Sequence, residues 1–402
     1  MSRDQRLDAL RGLLLLIMAA VHVPTPVSHA LQEPFGFIGN AEGFFFLSAC
    51  LAGRVYGNNY LKNGWGPMSQ RLWERARVVY YFHIGMVVPV VLVAWALSSR
   101  LVPLANHFHD FLIHPWCALA LMPLLLHQPP LFDILPLYVI LLGATPWLLA
   151  VARRCGWLPV LSVSFLCWLV AQGSWAHLDT FALLPFRWGS FNLIAWQFLW
   201  ACGVAAGETS VRRALFSKSG RWWFGVPAAL FVAAALMVRH GLWPDAWFPP
   251  SLFAWMDKWS LGPLRLLSFA SWAVFLMAWN PRPPSWLMSP TALLGRHSLA
   301  VFTLHLPLVI IATTAVLLIP FSTAQQTVVG LLVMFALFPW AMWLEQRRRN
   351  RELAASNPAP KPAIRVKPAW QPSAAFQSTG KFVHAILVPG MPRRPVPSRR
   401  AA

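Results

Sequence analysis

The sequence predicts an all-α membrane protein crossing the bilayer about ten times, and three observations predict it. The 402-residue chain is 57% apolar and only 11% charged. Its apolar runs recur almost from end to end, each near the roughly 20 residues that a helix needs to cross a hydrocarbon core. They show no strand-like alternation, and only helices or closed barrels satisfy their own backbone in lipid. The third observation is where the basic residues fall.

The spans run, in order, over 7–23, 36–56, 78–97, 133–151, 157–173, 191–207, 222–240, 263–280, 298–319 and 324–344. The first is short. Charge, a brief apolar run and the ending Ser28-His29-Ala30 also fit a signal peptide loosely, but the recurrence of spans downstream argues against that. Segment 111–126 rivals them in apolarity, yet inserting it alone breaks the alternation of basic loops, so 98–132 is expected to be an outer loop packed on or into the membrane face. With the N-terminus inside, the inward side up to Arg296 carries Arg3, Arg6, Arg11, Arg54, Lys62, Arg71, Arg75, Arg77, Arg153, Arg154, Arg212, Arg213, Lys218, Arg221, Arg282 and Arg296. The outward side carries Arg100, Arg187, Arg239, Lys258 and Arg265. This positive-inside bias, with an even number of spans, predicts an N-in, C-in topology.

The formal charge of +20 is thus explained by topology rather than by nucleic acid. The expected organisation is a transmembrane domain over 1–345 and a Pro/Ala-rich basic cytoplasmic tail over 346–402, whose composition reads as disordered. That tail either solvates and fixes orientation or touches anionic headgroups. The five cysteines have no spacing that suggests a disulfide or zinc framework. No internal repeat or Gly-rich phosphate loop is evident.

Ionisable groups inside a span are costly, so each is a functional candidate. Glu42 lies within the second span, Asp133 opens the fourth and His22 closes the first. The topology puts all three at similar depth near the outer face, where an imidazole and a carboxylate suit proton removal from a hydroxyl. Each also has a structural reading: His22 snorkelling at a helix end, Glu42 partnering an arginine, and Asp133 capping its helix. On the inner side Arg71 and Arg75 share a helical face, with Arg77 nearby, and Arg11 enters the first helix with ten residues between it and His22, about 16 Å along the axis. Guanidinium groups so placed either bind phosphate bidentately or simply fix topology. His107, His109, Asp110 and His114 match no recognised zinc spacing, and no metal is expected. The outer loops 174–190 and 241–262 hold Trp175, Trp188, Trp243, Trp247 and Trp255, either as sugar platforms or as an interfacial belt.

Arg11-x10-His22 resembles the signature of the acyltransferase-3 superfamily of membrane acyltransferases. So do Arg3-Asp4-x-Arg6-Leu7-Asp8-x-x-Arg11-Gly12, Glu42-x-Phe44-Phe45-Phe46-Leu47-Ser48 and Leu294-Gly295-Arg296-His297-Ser298 through His305, with Phe302 standing where the superfamily has a tyrosine and Ala49 where it often has glycine. More narrowly, Asp133-Ile-Leu-Pro136-Leu-Tyr138, Trp196-Gln197-Phe198 and Leu261 to Leu267 resemble the OpgC branch.

The resemblance covers roughly 1–345. It implies transfer of an acyl group, succinyl in the branch's namesake, from cytoplasmic acyl-coenzyme A to hydroxyls of a periplasmic glucan at the bacterial inner membrane. In it His22 matches the essential histidine, Arg11 its upstream partner, and Arg71, Arg75 and Arg77 the basic entry to the third helix. From the residues themselves, Glu42 and Asp133 are expected to assist His22 as catalytic groups, the arginines to hold the coenzyme A donor, and His305 either to line the donor pocket or to serve structure. An O-acetyltransferase of another cell-surface polysaccharide and a non-enzymatic glycan or lipid transporter remain as alternatives. The implied site is one chamber holding His22 and Glu42, joined by a tunnel to an arginine-lined inner mouth.

Overall fold

In the computed structural model the described residues are 4–173, 189–208, 218–242, 252, 255–279, 281 and 284–356. Among these the chain is helical with connecting turns. In order the helices are α1 (Gln5–Val21), α2 (Pro26–Leu31), α3 (Asn40–Asn63), α4 (Trp65–Leu97), α5 (Val102–His107), α6 (His109–Ile113), α7 (Pro115–Leu121), α8 (Ile134–Cys155), α9 (Trp157–Val170) and α10 (Leu193–Gly207). They continue as α11 (Lys218–Arg239), α12 (Pro263–Trp279), α13 (Ser285–Arg296), α14 (Ser298–Leu318), α15 (Thr323–Phe335) and α16 (Leu337–Ser356). The expected basic-loop residues Arg3, Arg187, Arg212, Arg213 and Arg282, the tryptophans Trp175, Trp188, Trp243 and Trp247, and the tail from 357 onward lie outside the described residues, as do the side chains of Lys218 and Arg221.

Every expected span coincides with helix, but length and apolarity divide them. Among the described residues five stretches are long and apolar enough to cross a membrane: Trp65–Leu97, Ile134–Cys155, Trp222–Arg239, Ser298–Leu318 and, taking α15 and α16 together, Thr323–Ser356. Trp157–Val170, Leu193–Gly207 and Pro263–Trp279 are apolar but shorter. Segment 111–126 is not one helix. A break at His114 before Pro115 and the end of α7 at Leu121 divide it into short pieces that bury Phe111 and Ala118.

Tight joins come from glycine. Gly64, at φ +77°, ends α3 and starts α4, and Gly156, at φ +82°, does the same between α8 and α9. A side chain is strained in this left-handed region, so a single glycine reverses the chain where other residues would need a longer loop. At the opposite end of α3, Glu42 reaches back to accept the Gly39 N–H at 3.1 Å, which satisfies an otherwise orphaned helix donor.

The central packing depends on backbone approaching backbone. α1 packs most extensively on α13, a helix that the sequence reading passed over as a connection. A Cβ on Gly12 would sit 1.8 Å from the Thr291 carbonyl oxygen, and one on Gly295 would sit 1.8 Å from that of Asp8. Asp8 meeting Gly295 and Gly12 meeting Thr291 means that the two helices run antiparallel. Small residues serve α3 and α10 likewise, with Gly53 against Val204 and Gly207 against Cys50; in lipid such close van der Waals packing replaces the hydrophobic drive between helices. Glu345 of α16 ties the elbow between α13 and α14, facing His297 Nε2 at 2.9 Å, Arg348 at 2.8 Å and Arg296 at 3.4 Å.

Gly12→Ala is expected to force α1 from α13 and lower stability by about 1–3 kcal/mol, the usual cost of overpacking. Gly85→Ala, where a Cβ meets nothing within 4 Å, should leave stability unchanged or raise it. Thermal unfolding of the purified variants in detergent checks both.

Candidate active site

Two cavities lie along α1. The larger, about 470 Å³, is lined by His22 together with Glu33, Asn40, Asp133, Ser190, Lys258, Trp259, Arg265 and Phe302. The smaller is a cleft of about 20 Å³, lined by Arg11, Ser48, Arg75, Tyr138, Ser298 and Phe302 among others. The chamber therefore gathers two of the three expected outer groups, His22 and Asp133. The cleft gathers two of the expected inner cations, Arg11 and Arg75.

His22 is the C-cap of α1. Its carbonyl accepts a hydrogen bond from Thr313 Oγ1 at 3.3 Å, fastening this helix end to α14. Its Nδ1 has no hydrogen-bond partner among the described residues, and its ring stacks on His305 with centroids 6.0 Å apart. His305 lines neither cavity. It is fully buried behind His22, with Nδ1 at 2.5 Å from the Phe302 carbonyl. A carbonyl only accepts, so the proton of neutral His305 sits on Nδ1 and its Nε2 carries a lone pair.

The expected contact between Glu42 and His22 is corrected. Glu42 is fully buried outside the chamber lining, and its carboxylate accepts from Arg265 Nε. Arg265 in turn reaches Glu33 at 2.7 Å through Nη2 and the Met256 carbonyl at 3.2 Å through Nη1. The alternative reading of Glu42, as partner of an arginine, describes what the fold does. A carboxylate in the apolar interior needs a fixed opposite charge, and Arg265 enters from α12 to provide it. Asp133 also departs from its capping alternative: its side chain makes no cap bond to α8 but accepts the Ser190 N–H at 2.8 Å.

The sequence reading counts Lys258 only as an outward loop cation, not as a site residue. It lines the chamber, with its ammonium 4.9 Å from the Trp259 ring centroid and 5.8 Å from that of Phe191. Two lining residues, Glu33 at φ +51° and Leu131 at φ +73°, hold left-handed backbone without being glycine. Such strain collects at binding sites held by surrounding structure. Glu33 is held by Arg265, by Arg239 donating to its carbonyl at 3.3 Å and by the nearby bond from Trp272 Nε1 to the Phe35 carbonyl at 2.7 Å.

At the smaller cleft, Arg11 Nη2 donates to Ser298 Oγ at 2.5 Å. Arg75 is half-buried there, while Arg71 and Arg77 are exposed on α4 and do not line it. In place of the one open tunnel expected, two separate cavities abut, with Phe302 and Ile134 in the wall of both. Among the outer-loop histidines, burial holds His107 and His127 below the ordinary imidazole value, partly offset for His107 by the Pro130 backbone and for His127 by Asp110. His109 and Asp110 form an exposed pair at 3.5 Å. No three His, Cys, Asp or Glu side chains among the described residues are grouped to hold a metal.

Glu42→Ala leaves the buried Arg265 with Glu33 as its one remaining carboxylate partner among the described residues, and is expected to cost about 3–5 kcal/mol, the range for breaking a buried pair from one side. Glu42→Leu combined with Arg265→Met should recover much of that loss, because replacing both charges with apolar groups is often neutral. Thermal unfolding of the single and double variants measures the difference.

Neither a curated protein nor a solved structure matches this chain. The family described as OpgC protein matches residues 3–349, a stretch that includes both cavities, the Glu42–Arg265 pair and all the helices that carry them. The match agrees with the resemblance seen in Asp133 to Tyr138 and Leu261 to Leu267, and it supports a membrane acyltransferase-like function; the chain belongs to the OpgC protein family.

Proposed function

We propose that the protein is a membrane O-acyltransferase that moves an acyl group, succinyl by its family likeness, from coenzyme A on the cytoplasmic side to a glucan hydroxyl on the periplasmic side of a bacterial inner membrane. The observation that carries this reading is that one helix of an OpgC-family chain presents Arg11 to a cleft shared with Arg75 and presents His22 to a chamber of about 470 Å³. On this reading anion recognition sits at Arg11, six residues into α1, and the base at the helix's C-terminal cap. The proposal includes about ten crossings with the start of α1 and the end of α16 cytoplasmic, a transmembrane domain over 1–345 and a basic tail over 346–402.

Arg11 and Arg75 take phosphate oxygens of the donor, with Arg71 and Arg77 gathering it from solution, since guanidinium groups pair bidentately with phosphate. The acceptor sugar occupies the chamber, where Trp259 and Phe191 offer aromatic faces. His22 removes the proton of the attacking hydroxyl. That oxygen forms the new ester bond to the thioester carbonyl carbon, the carbon–sulfur bond breaks, and the departing thiolate takes the proton back from the imidazolium. His305 packs behind His22 and holds its ring plane.

Asp133 accepts a hydrogen bond from the sugar while bound to Ser190. Glu42 acts at a distance by fixing Arg265, not by touching the imidazole. No metal enters this scheme.

A positioned general base contributes about 10²–10⁴ in rate, so His22→Ala is expected to lose at least that much transfer while remaining inserted and folded. The assay is purified protein with labelled acyl-coenzyme A and a glucan, followed by mass analysis of the glycan. Near-normal transfer by His22→Ala removes it as the base. A wild-type protein that moves glycan without acylating it favours transport, and acetyl in place of succinyl identifies the other donor.

A further inference from the structure

Planar groups stand in an unbroken column beside α1. The Arg11 guanidinium lies 5.7 Å from the Phe44 ring centroid. Phe44 stacks on Phe302 at 6.0 Å with 21° between planes. Phe302 meets His305 edge-on at 4.7 Å, and His305 stacks on His22 at 6.0 Å. Phe302 stands at the middle of this column, 1% exposed, and forms a wall of both cavities. The cleft on its inner side, about 20 Å³, has room for about one water molecule.

We propose that Phe302 is the partition between the two halves of the site, a positioning residue whose ring seals the chamber from the cleft at rest and is displaced when a donor arm enters. The donor and acceptor terms rest on the acyl-transfer reading above; the seal itself does not. Two physical demands meet at this ring. A passage open from one face to the other conducts water and protons through the bilayer.

A thioester in such a passage is also exposed to hydrolysis: water oxygen bonds to the carbonyl carbon, the carbon–sulfur bond breaks, and the proton released by water ends on the departing thiol, leaving free acid. Exclusion of water from a reacting centre prevents this side reaction. The backbone beside the ring has room to yield. Pro307 lies inside α14 five residues further on, where it cannot donate to the Thr303 carbonyl, and such positions are where helices bend.

The test uses full-length protein carrying Phe302→Ala, Phe302→Val or Phe302→Leu, each checked for folding by thermal unfolding. In sealed vesicles containing a pH-sensitive dye, Phe302→Ala should dissipate an imposed pH gradient several-fold faster than wild type, and Phe302→Leu should stay near wild type. With labelled succinyl-coenzyme A, release of free succinate in the absence of glucan should rise several-fold in Phe302→Ala, and the share of label reaching added glucan should fall.

Should Phe302→Ala fail to fold, Phe302→Val, which removes less volume, is read the same way. Vesicles as tight as wild type, together with an unchanged share of hydrolysis, overturn the proposal, as does loss of transfer with neither leak nor hydrolysis increased. A wild-type protein without transfer ends the acyl reading, while the pH gradient still decides whether Phe302 seals.

Discussion

A fixed length of helix sets the scale of the whole site. Arg11 and His22 ride on α1, and at 1.5 Å per residue the ten residues between them hold the two side chains about 16 Å apart along the axis. Backbone contact with α13 through Gly12 and Gly295 prevents α1 from sliding, and the bond from Thr313 to the His22 carbonyl pins its C-terminal end. Any chemistry that joins the cleft to the chamber must therefore span this distance with the substrate, because the protein does not shorten it.

The electrostatics follow from the same geometry. The chamber wall carries Glu33, Asp133, Lys258 and Arg265, but these charges are unequally available. Arg265 is held by two carboxylates and a carbonyl, so it serves as a structural hub between α3, α12 and the segment before α3. A buried pair of this kind is weak evidence for added stability; here its effect is to fix where α3 begins and to hold the strained backbone of Glu33 at the rim. Lys258, seated over Trp259 and Phe191, forms no ion pair within 4 Å among the described residues, leaving it the chamber cation more available to a substrate anion.

Much of this was legible in the sequence because apolar runs and isolated charges are local features. The helices at every expected span, the candidacy of His22 and the grouping of Arg11 with Arg75 come from such signals. Pairings across the chain do not. Glu42 and Arg265 lie in helices far apart in sequence, and Arg265 had been counted only as an outward loop cation. A lone acid in one span and a lone arginine at the mouth of another were the available clue, since each needs the other once buried. α13 was missed because Ser, Thr and Pro residues interrupt its apolarity, and its burial comes from glycine contact that periodicity does not register.

The route between chamber and cleft is the point where sequence reasoning and structure differ most, and the difference is physical. Reading polar residues at the two faces invites an open path between them, since sequence marks what lines a route and says nothing of what fills it. A bilayer protein cannot leave such a route open without short-circuiting its membrane. The space between Arg11 and His22 is instead occupied by Phe44, Phe302 and His305, flat groups that pack densely at rest. A ring can turn about two side-chain bonds without unfolding the helix that carries it, whereas a layer of backbone cannot. On the acyl-transfer reading proposed above, the site needs closure by default and opening only around the substrate, and an aromatic partition meets both requirements at once.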